Sequence, residues 1–271
     1  MVNILRKTLD SSSQFYTTIR NLKSFSKNAS LYSPILRHAK QIGDFKIYEK
    51  VGSDYVYGYL EKEPNWGLTK KDNVQSVASL IIDYPNQFNK IRNFFFSNQR
   101  FIDSIYGEKL VTKVRDIFIR KTEIDPIVYS KEGFKEEQWQ LINNNISREY
   151  DSLTADRLVL DSKIVYYEKI KSWDYHVHYF LMKFRKYGVD KSDWLADAAL
   201  NNQLWSSVFL HSNNKLHLYE AVEIARQLVE RNKGDFNYWD TYGNLLYKLG
   251  DKAKALSAMR EAERLNRIIQ N

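Results

Sequence analysis

The chain contains no cysteine. Disulfide bridges, thiolate metal sites and thiol nucleophiles are therefore excluded at once. Glycine (10) and proline (4) are scarce among 271 residues. Sheet-rich folds need turn residues every 8–12 positions or so, and that supply is missing, so long helices with short connections are expected. No apolar run reaches the roughly 18 residues that span a bilayer. The N-terminal stretch MVNILRKTLDSSSQFYTTIR lacks the continuous apolar centre of a secretory signal. The net charge is +8, yet no Lys/Arg run of five or more is present. Basic residues interspersed with Asp and Glu describe a solvated, mildly basic surface, so no nucleic-acid partner is expected.

What the chain has in quantity is aromatic side chains: nineteen Tyr, fourteen Phe and six Trp. Such rings fill wide spaces between packed helices. It also has an internal period. Trp205 and Trp239 are 34 residues apart, and so are Ala221 and Ala255. That is the period of the tetratricopeptide repeat, a helix-turn-helix unit.

The stretch YWDTYGNLLYKLGDKAKALSAMREAERLN (238–266) resembles that family. Trp239, Tyr242, Gly243 and Leu246 match its first helix, Gly250-Asp251 its turn, and Ala255, Met259 and Ala262 its second helix. Arg267 stands where the family usually places proline. A glycine inside a helix costs about 1 kcal/mol relative to alanine. A close approach of the two helices at Gly243 and Ala255 is therefore expected, with Ala262 against the next helix. The preceding copy, NQLWSSVFLHSNNKLHLYEAVEIARQLVERN, keeps Trp205, Val208, Ala221, Ala225 and Leu228. Phe209 replaces the small residue there, so this hairpin is expected to open wider or pack differently.

The same grammar occurs upstream. LRHAKQIGDFKIYEKVGSDYVYGYL (36–60) reads as helix, Gly43-Asp44 turn, helix. KIVYYEKIKSWDYHVHYFLMKFRKYG (163–188) turns at Ser172-Trp173-Asp174 and ends on Gly188, a helix C-cap. LTKKDNVQSVASLIIDYP (68–85) starts with Thr69 as N-cap and stops before Pro85. Leu110, Val114, Ile117 and Phe118 share one face of a further helix. The fold class is thus all-α: an irregular array of helical hairpins over 1–201, then two tetratricopeptide-like repeats over 202–271, joined as one continuous helical domain.

The order of AKQIGDFKIYEKVGSDYV, PNQFNKIRNFFFSNQRFIDSIYGEK, ALNNQLWSSVFL and YWDTYGNLLYKLGDKAKAL is similar to the helical C-terminal part of thioredoxin-family proteins of Bacteroidetes-type bacteria. The likeness runs from about residue 36 to the end. In that family a signal peptide and a thioredoxin domain precede the helices. The resemblance implies the helical portion alone, periplasmic within an exported protein and otherwise cytoplasmic. Redox activity does not carry over, because the thiolates that perform it are missing.

The residues with chemical potential do not assemble in the sequence. His176 and His178 are two apart and point to different sides of a helix, whereas a helical zinc pair needs i and i+4. His211 and His217 flank a loop without a third ligand. Surface or half-buried histidines are expected. Asp151, Asp156 and Asp161 recur every five residues, which rotates them around a helix. Glu136-Glu137 places charge near a helix N-terminus. Two Asn-x-Ser matches, at Asn28 and Asn145, are expected by chance. The aromatic clusters DYVYGY and YYEKIKSWDYHVHYF interleave rings with charge, as single-stranded nucleic-acid sites do. Asp54, Glu168 and Asp174 would repel phosphate, and rings at helical spacing are core. No catalytic, metal or cofactor site is expected.

The expected role is noncatalytic protein binding or scaffolding, with a protein or peptide partner. The alternative is an accessory domain that positions a thioredoxin domain of the same polypeptide. The tetratricopeptide resemblance implies a peptide groove lined by Asn237, Asp240, Asn244, Tyr247 and Lys248 in the second repeat. Gln203, Ser206, Leu210 and Asn213 are their counterparts in the first. Asn244 can donate and accept, Lys248 can meet a carboxylate, and Tyr247 offers contact area with few torsions to freeze.

Overall fold

The computed structural model of the protein describes residues 29–107, 109–131, 133–188 and 194–270. The N-terminal stretch examined for a secretory signal and the Asn28 match lie outside these residues. Every regular element among the described residues is helical, as expected. None of the described helices is long and apolar enough to cross a membrane. The chain divides between Ser130 and Lys131 into two compact units. The division at 201/202 drawn from the repeat spacing falls inside the second unit. There, residues on both sides of it, such as Phe180, Leu181, Leu204 and Val208, share one core.

In the first unit, α1 (Tyr32–Ile42) and α2 (Phe45–Ser53) form the hairpin read around Gly43-Asp44. Gly43 takes φ +74°, which ends α1. The Asp44 N–H then returns to the Ala39 carbonyl at 2.9 Å. The Asp44 carboxylate accepts the Ile47 N–H at 3.1 Å and so starts α2. One residue pair both stops a helix and restarts it. The next helix, α3 (Lys71–Asp83), does not use Thr69 as its cap. It begins after Lys70, which is extended and makes no side-chain cap bond. The turns before it carry Asn65, Trp66 and Gly67 at positive φ. Asn73 holds that bend by donating to the Gly67 carbonyl at 2.8 Å. α3 stops before Pro85, as expected. Helices α4 (Asn89–Ser97), α5 (Gln99–Tyr106), α6 (Leu110–Ile119) and α7 (Asp125–Val128) complete the unit. On α6 the buried set is Val111, Val114, Phe118 and Ile119. Leu110 and Ile117 are only half-buried, so the apolar face is rotated from the one expected. Tyr48, Tyr55, Phe88 and Phe95 are among the largest fully buried side chains, which is where the aromatic surplus is spent.

The second unit runs through α8 (Gln138–Glu149), α9 (Ser152–Lys169), α10 (Trp173–Tyr187) and α11 (Trp194–Gln203). It ends with α12 (Lys215–Arg231), α13 (Phe236–Leu249) and α14 (Lys252–Gln270). Asp151, Asn214 and Asp235 cap α9, α12 and α13 through their side-chain oxygens. At the α9–α10 turn the Ser172 N–H reaches the Tyr167 carbonyl at 2.8 Å. Lys171, not a glycine, takes the left-handed position there, at φ +57°. Gly188 ends α10, as expected. Asp151, Asp156 and Asp161 are not gathered into one cluster: Asp151 caps α9, while Asp156 and Asp161 pair separately with Lys186 and Lys183 of α10, each at 2.6 Å. Long lysine stems span the rotation between them.

The α13–α14 hairpin repeats the device seen at Gly43-Asp44. Gly250 takes φ +103°, the Asp251 N–H reaches the Leu246 carbonyl at 3.0 Å, and Asp251 accepts the Lys254 N–H at 3.2 Å. The close approach at Gly243 is present. A Cβ there would lie 3.0 Å from Met259 Cγ and 3.4 Å from Ala258 Cβ and the Met259 backbone nitrogen. The facing residues are thus Ala258 and Met259, one turn along α14 from the expected Ala255. Ala255 is buried instead in a small cluster with Leu246 and Ala258, against Trp239 and Tyr242.

α11 continues directly into a π-helical segment, Leu204–Phe209. The Leu210 N–H bonds to the Trp205 carbonyl, five residues back. Each wide turn holds an extra residue, so side chains beyond it rotate out of an α-helical register. This is why the first copy departs from the second. Phe209, which replaces the small residue, stacks on Trp205 with ring centroids 4.5 Å apart.

Candidate functional site

α13 is an amphipathic helix whose apolar side faces the core through Tyr238, Leu245 and Leu246. Its N-cap is Asp235, which accepts the Asn237 backbone N–H at 2.9 Å. The cap fixes the first turn, and with it the direction in which Asn237 and Asp240 project. The π-helical segment lies against α13 and presents Trp205 and Ser206. Between them is an open cavity of about 570 Å³. Ala198, Asn201, Asn202, Trp205 and Ser206 line it from the α11 side. Asp235, Asn237, Tyr238, Asp240 and Thr241 line it from the α13 side.

The cavity wall is rich in oxygen acceptors. Asp235 Oδ1 also accepts from the Asn237 side chain at 2.9 Å. Asp240 Oδ1 accepts from the Asn244 amide at 3.2 Å. Neither carboxylate has a Lys or Arg partner, and no Lys or Arg lines the cavity among the described residues. Burial pushes the Tyr238 phenol above its usual pKa, and the nearby charges of Asp197 and Asp235 push it the same way against the opposing charge of Arg231. Asn201 is 7% exposed, and its side-chain oxygen is buried without a hydrogen-bond partner. A buried acceptor left unpaired costs about 1–3 kcal/mol. That oxygen is shut off from solvent, so it does not open into the cavity.

Of the nine groove residues expected from the resemblance, Ser206, Asn237 and Asp240 are brought together in the cavity. The other six do not line it. Asn244 donates to the Asp240 carbonyl at 2.9 Å and is held along its own helix. The Lys248 ammonium donates to the Phe209 carbonyl and lies 5.4 Å from the Phe209 ring centroid. Burial there holds its pKa below the usual lysine value. Phe209 lies in the last turn of its helix, where carbonyls lack an intrahelical donor; Lys248 supplies one. Tyr247, Leu210, Gln203 and Asn213 are exposed elsewhere on the unit. Asn201, Trp205, Tyr238 and Thr241 were not expected. Their signal was the 34-residue pairing of Trp205 with Trp239, which placed these two helices side by side.

The histidines are arranged otherwise. His176 is not surface or half-buried but 3% exposed. Its ring nitrogens meet the Ile164 carbonyl at 3.0 Å and Ser207 Oγ at 2.8 Å. His211 stacks flat on Trp173 at 3.6 Å, and His178 lies 6.5 Å from His217 between ring centroids. Among the described residues no group of three or more His, Asp or Glu is placed to hold a metal ion.

No family model matches the chain, and no curated protein and no solved structure matches it.

Proposed function

We propose that the second unit is a noncatalytic protein-binding module that holds an extended peptide in the cavity between α11 and α13. The observation that carries this reading is the open, polar cavity in which Ser206 of the π-helical segment meets Asn237 and Asp240 of α13. A peptide backbone supplies N–H donors at regular intervals, and a polar, open cleft suits an extended chain better than a compact apolar ligand. The 34-residue repeat and the Gly243 approach support a tetratricopeptide-like arrangement, in which the first helices of successive hairpins face such a ligand.

The test is selection of displayed peptides on the full chain, followed by direct binding of the selected sequences. Ser206 is exposed, so Ser206→Trp fills the cavity without entering the core. That variant should abolish binding with an unchanged melting temperature, whereas Tyr247→Ala, off the cavity, should leave binding intact. Recovery of no peptide, or peptide binding indifferent to Ser206→Trp, refutes the reading.

A further inference from the structure

We propose that the first unit binds a fatty-acid-like molecule, a carboxylate on a single alkyl chain, in a trough between α1 and α6. This site lies in a different unit from the peptide cavity and stands independently of it.

α1 and α6 each pack on α3 but not closely on each other, so a trough runs between them over α3. Its volume is about 580 Å³, within the roughly 300–1,000 Å³ of small-molecule sites. Leu110, Val114 and Ile117 of α6 line one wall at helical spacing. They span two turns, about 10 Å. Ala78, Ser79 and Ile82 of α3 form the floor. Leu110, Ile117 and Ile82 are only half-buried. The apolar face of α6 is thus shared between the core, which takes Val111 and Phe118, and the trough, which takes Leu110 and Ile117. A contiguous apolar strip left uncovered in this way marks a binding surface.

Charge selects the guest. Arg37, Lys40 and Lys113 line the trough, and no Asp or Glu does among the described residues. Lys40 is engaged by Asp83 at 2.6 Å. Arg37 is exposed and makes no hydrogen bond or ion pair with any described residue. Its planar guanidinium matches a carboxylate with two parallel N–H bonds. It adjoins Leu36, which is buried in the same wall. An anionic head group and an apolar tail are therefore both served in one place. Size favours a single alkyl chain. Two turns of a partner helix, 10–12 Å across, occupy about 800 Å³, more than the trough encloses.

The experiment is calorimetry on the full chain with decanoate, hexanoate and decanol, all in submicellar solution. Decanoate should bind one to one. A fully buried methylene is worth about fourfold in affinity, and one in a trough open on one side about twofold. Decanoate should therefore bind at least about tenfold more tightly than hexanoate. Arg37→Gln should weaken decanoate about tenfold and leave decanol unchanged. Lys46→Gln removes the same charge from an exposed position outside the trough and should change neither. That control separates a head-group site from general attraction to a chain at +8. Ser79→Trp should block decanoate and decanol alike. Should it fold poorly, Arg37→Gln still decides, because Arg37 is exposed and its loss leaves the core intact. The proposal is overturned if decanoate does not bind, if decanol binds as tightly, or if Arg37→Gln and Lys46→Gln weaken decanoate equally. Self-association that Ser79→Trp abolishes, without decanoate binding, would make a second copy the occupant and overturn it too. None of these outcomes bears on the peptide-binding reading of the second unit.

Discussion

Gly243 offers the sharpest test of the hairpin geometry, because two opposing effects meet at one atom. Alanine in a helix interior is favoured over glycine by about 1 kcal/mol. Against that, the new Cβ would sit 3.0 Å from Met259 Cγ and 3.4 Å from the Met259 nitrogen and Ala258 Cβ. The nearest atom belongs to a flexible side chain that can shift by a few tenths of an ångström. The backbone contact is already at ordinary van der Waals range. Gly243→Ala is therefore expected near neutrality, within about 1 kcal/mol either way. Gly243→Leu has no such escape. Its added carbons must enter the seam against Ala258, and overpacking of this kind costs about 1–3 kcal/mol. Because the chain has two units, native-state hydrogen exchange at α13 and α14 amides is a better measure than one global midpoint. Adding Met259→Ala to Gly243→Leu should recover part of the loss, so the two substitutions should couple favourably in a double-mutant cycle. If leucine protects those amides as well as alanine does, or if the two substitutions are simply additive, the close approach is not what holds the hairpin.

Two further outcomes are expected. Lys171→Gly should stabilise the second unit by about 0.5–1 kcal/mol, because a non-glycine residue in the left-handed region costs about 1–2 kcal/mol and glycine's extra freedom when unfolded returns part of that; a lowered urea midpoint would contradict it. Burial, and then the charge of Asp83, raise the Tyr48 phenol well above the ordinary value near 10. The unfolded chain then loses this proton first, so the stability Tyr48 contributes is whole below about pH 10 and lost as pH rises above it, at up to about 1.4 kcal/mol per pH unit. Urea midpoints between pH 9 and 12 should fall less steeply in Tyr48→Phe than in the wild type, and identical slopes would refute the assignment.

Much of the fold was legible because its devices are local. Gly43-Asp44 and Gly250-Asp251 each announce a helix stop and restart within two residues, and both turns form as read. Gly243 announces close packing by costing more than alanine wherever nothing is gained. The π-helical segment carries no such mark. An i→i+5 turn changes the period over only a few residues, too few to separate it from an imperfect α-helical pattern. Counting back 34 residues from α13 still keeps burial in register at Leu204 and Ser207, the counterparts of Tyr238 and Thr241. Leu210 and Asn213, placed by that arithmetic in the groove, lie off the cavity, as do Asn244 and Tyr247, their counterparts on α13. Lys248 was misread for another reason: the Phe209 carbonyl it serves is exposed by a helix end 39 residues earlier in the chain, and only the tertiary fold joins them.

The helix beside the site carries a distinction that sequence pattern cannot draw. Asn201 and Ser207 are both polar residues buried on the helix that begins at Trp194. In the sequence they look alike, two interruptions of an apolar face. In the structure they part. Ser207 is joined to His176, whose other ring nitrogen meets the Ile164 carbonyl, so that chain is closed and ties the helix to α9 and α10. A closed chain of this kind needs nothing from outside. Asn201 has no such closure: its oxygen is buried without a partner, on a turn of the helix that borders the open cleft. A neutral amide tolerates that loss at about 1–3 kcal/mol, far less than a buried charge would cost. Ser207 is thus the polar contact that this core completes, and Asn201 the one that it leaves open.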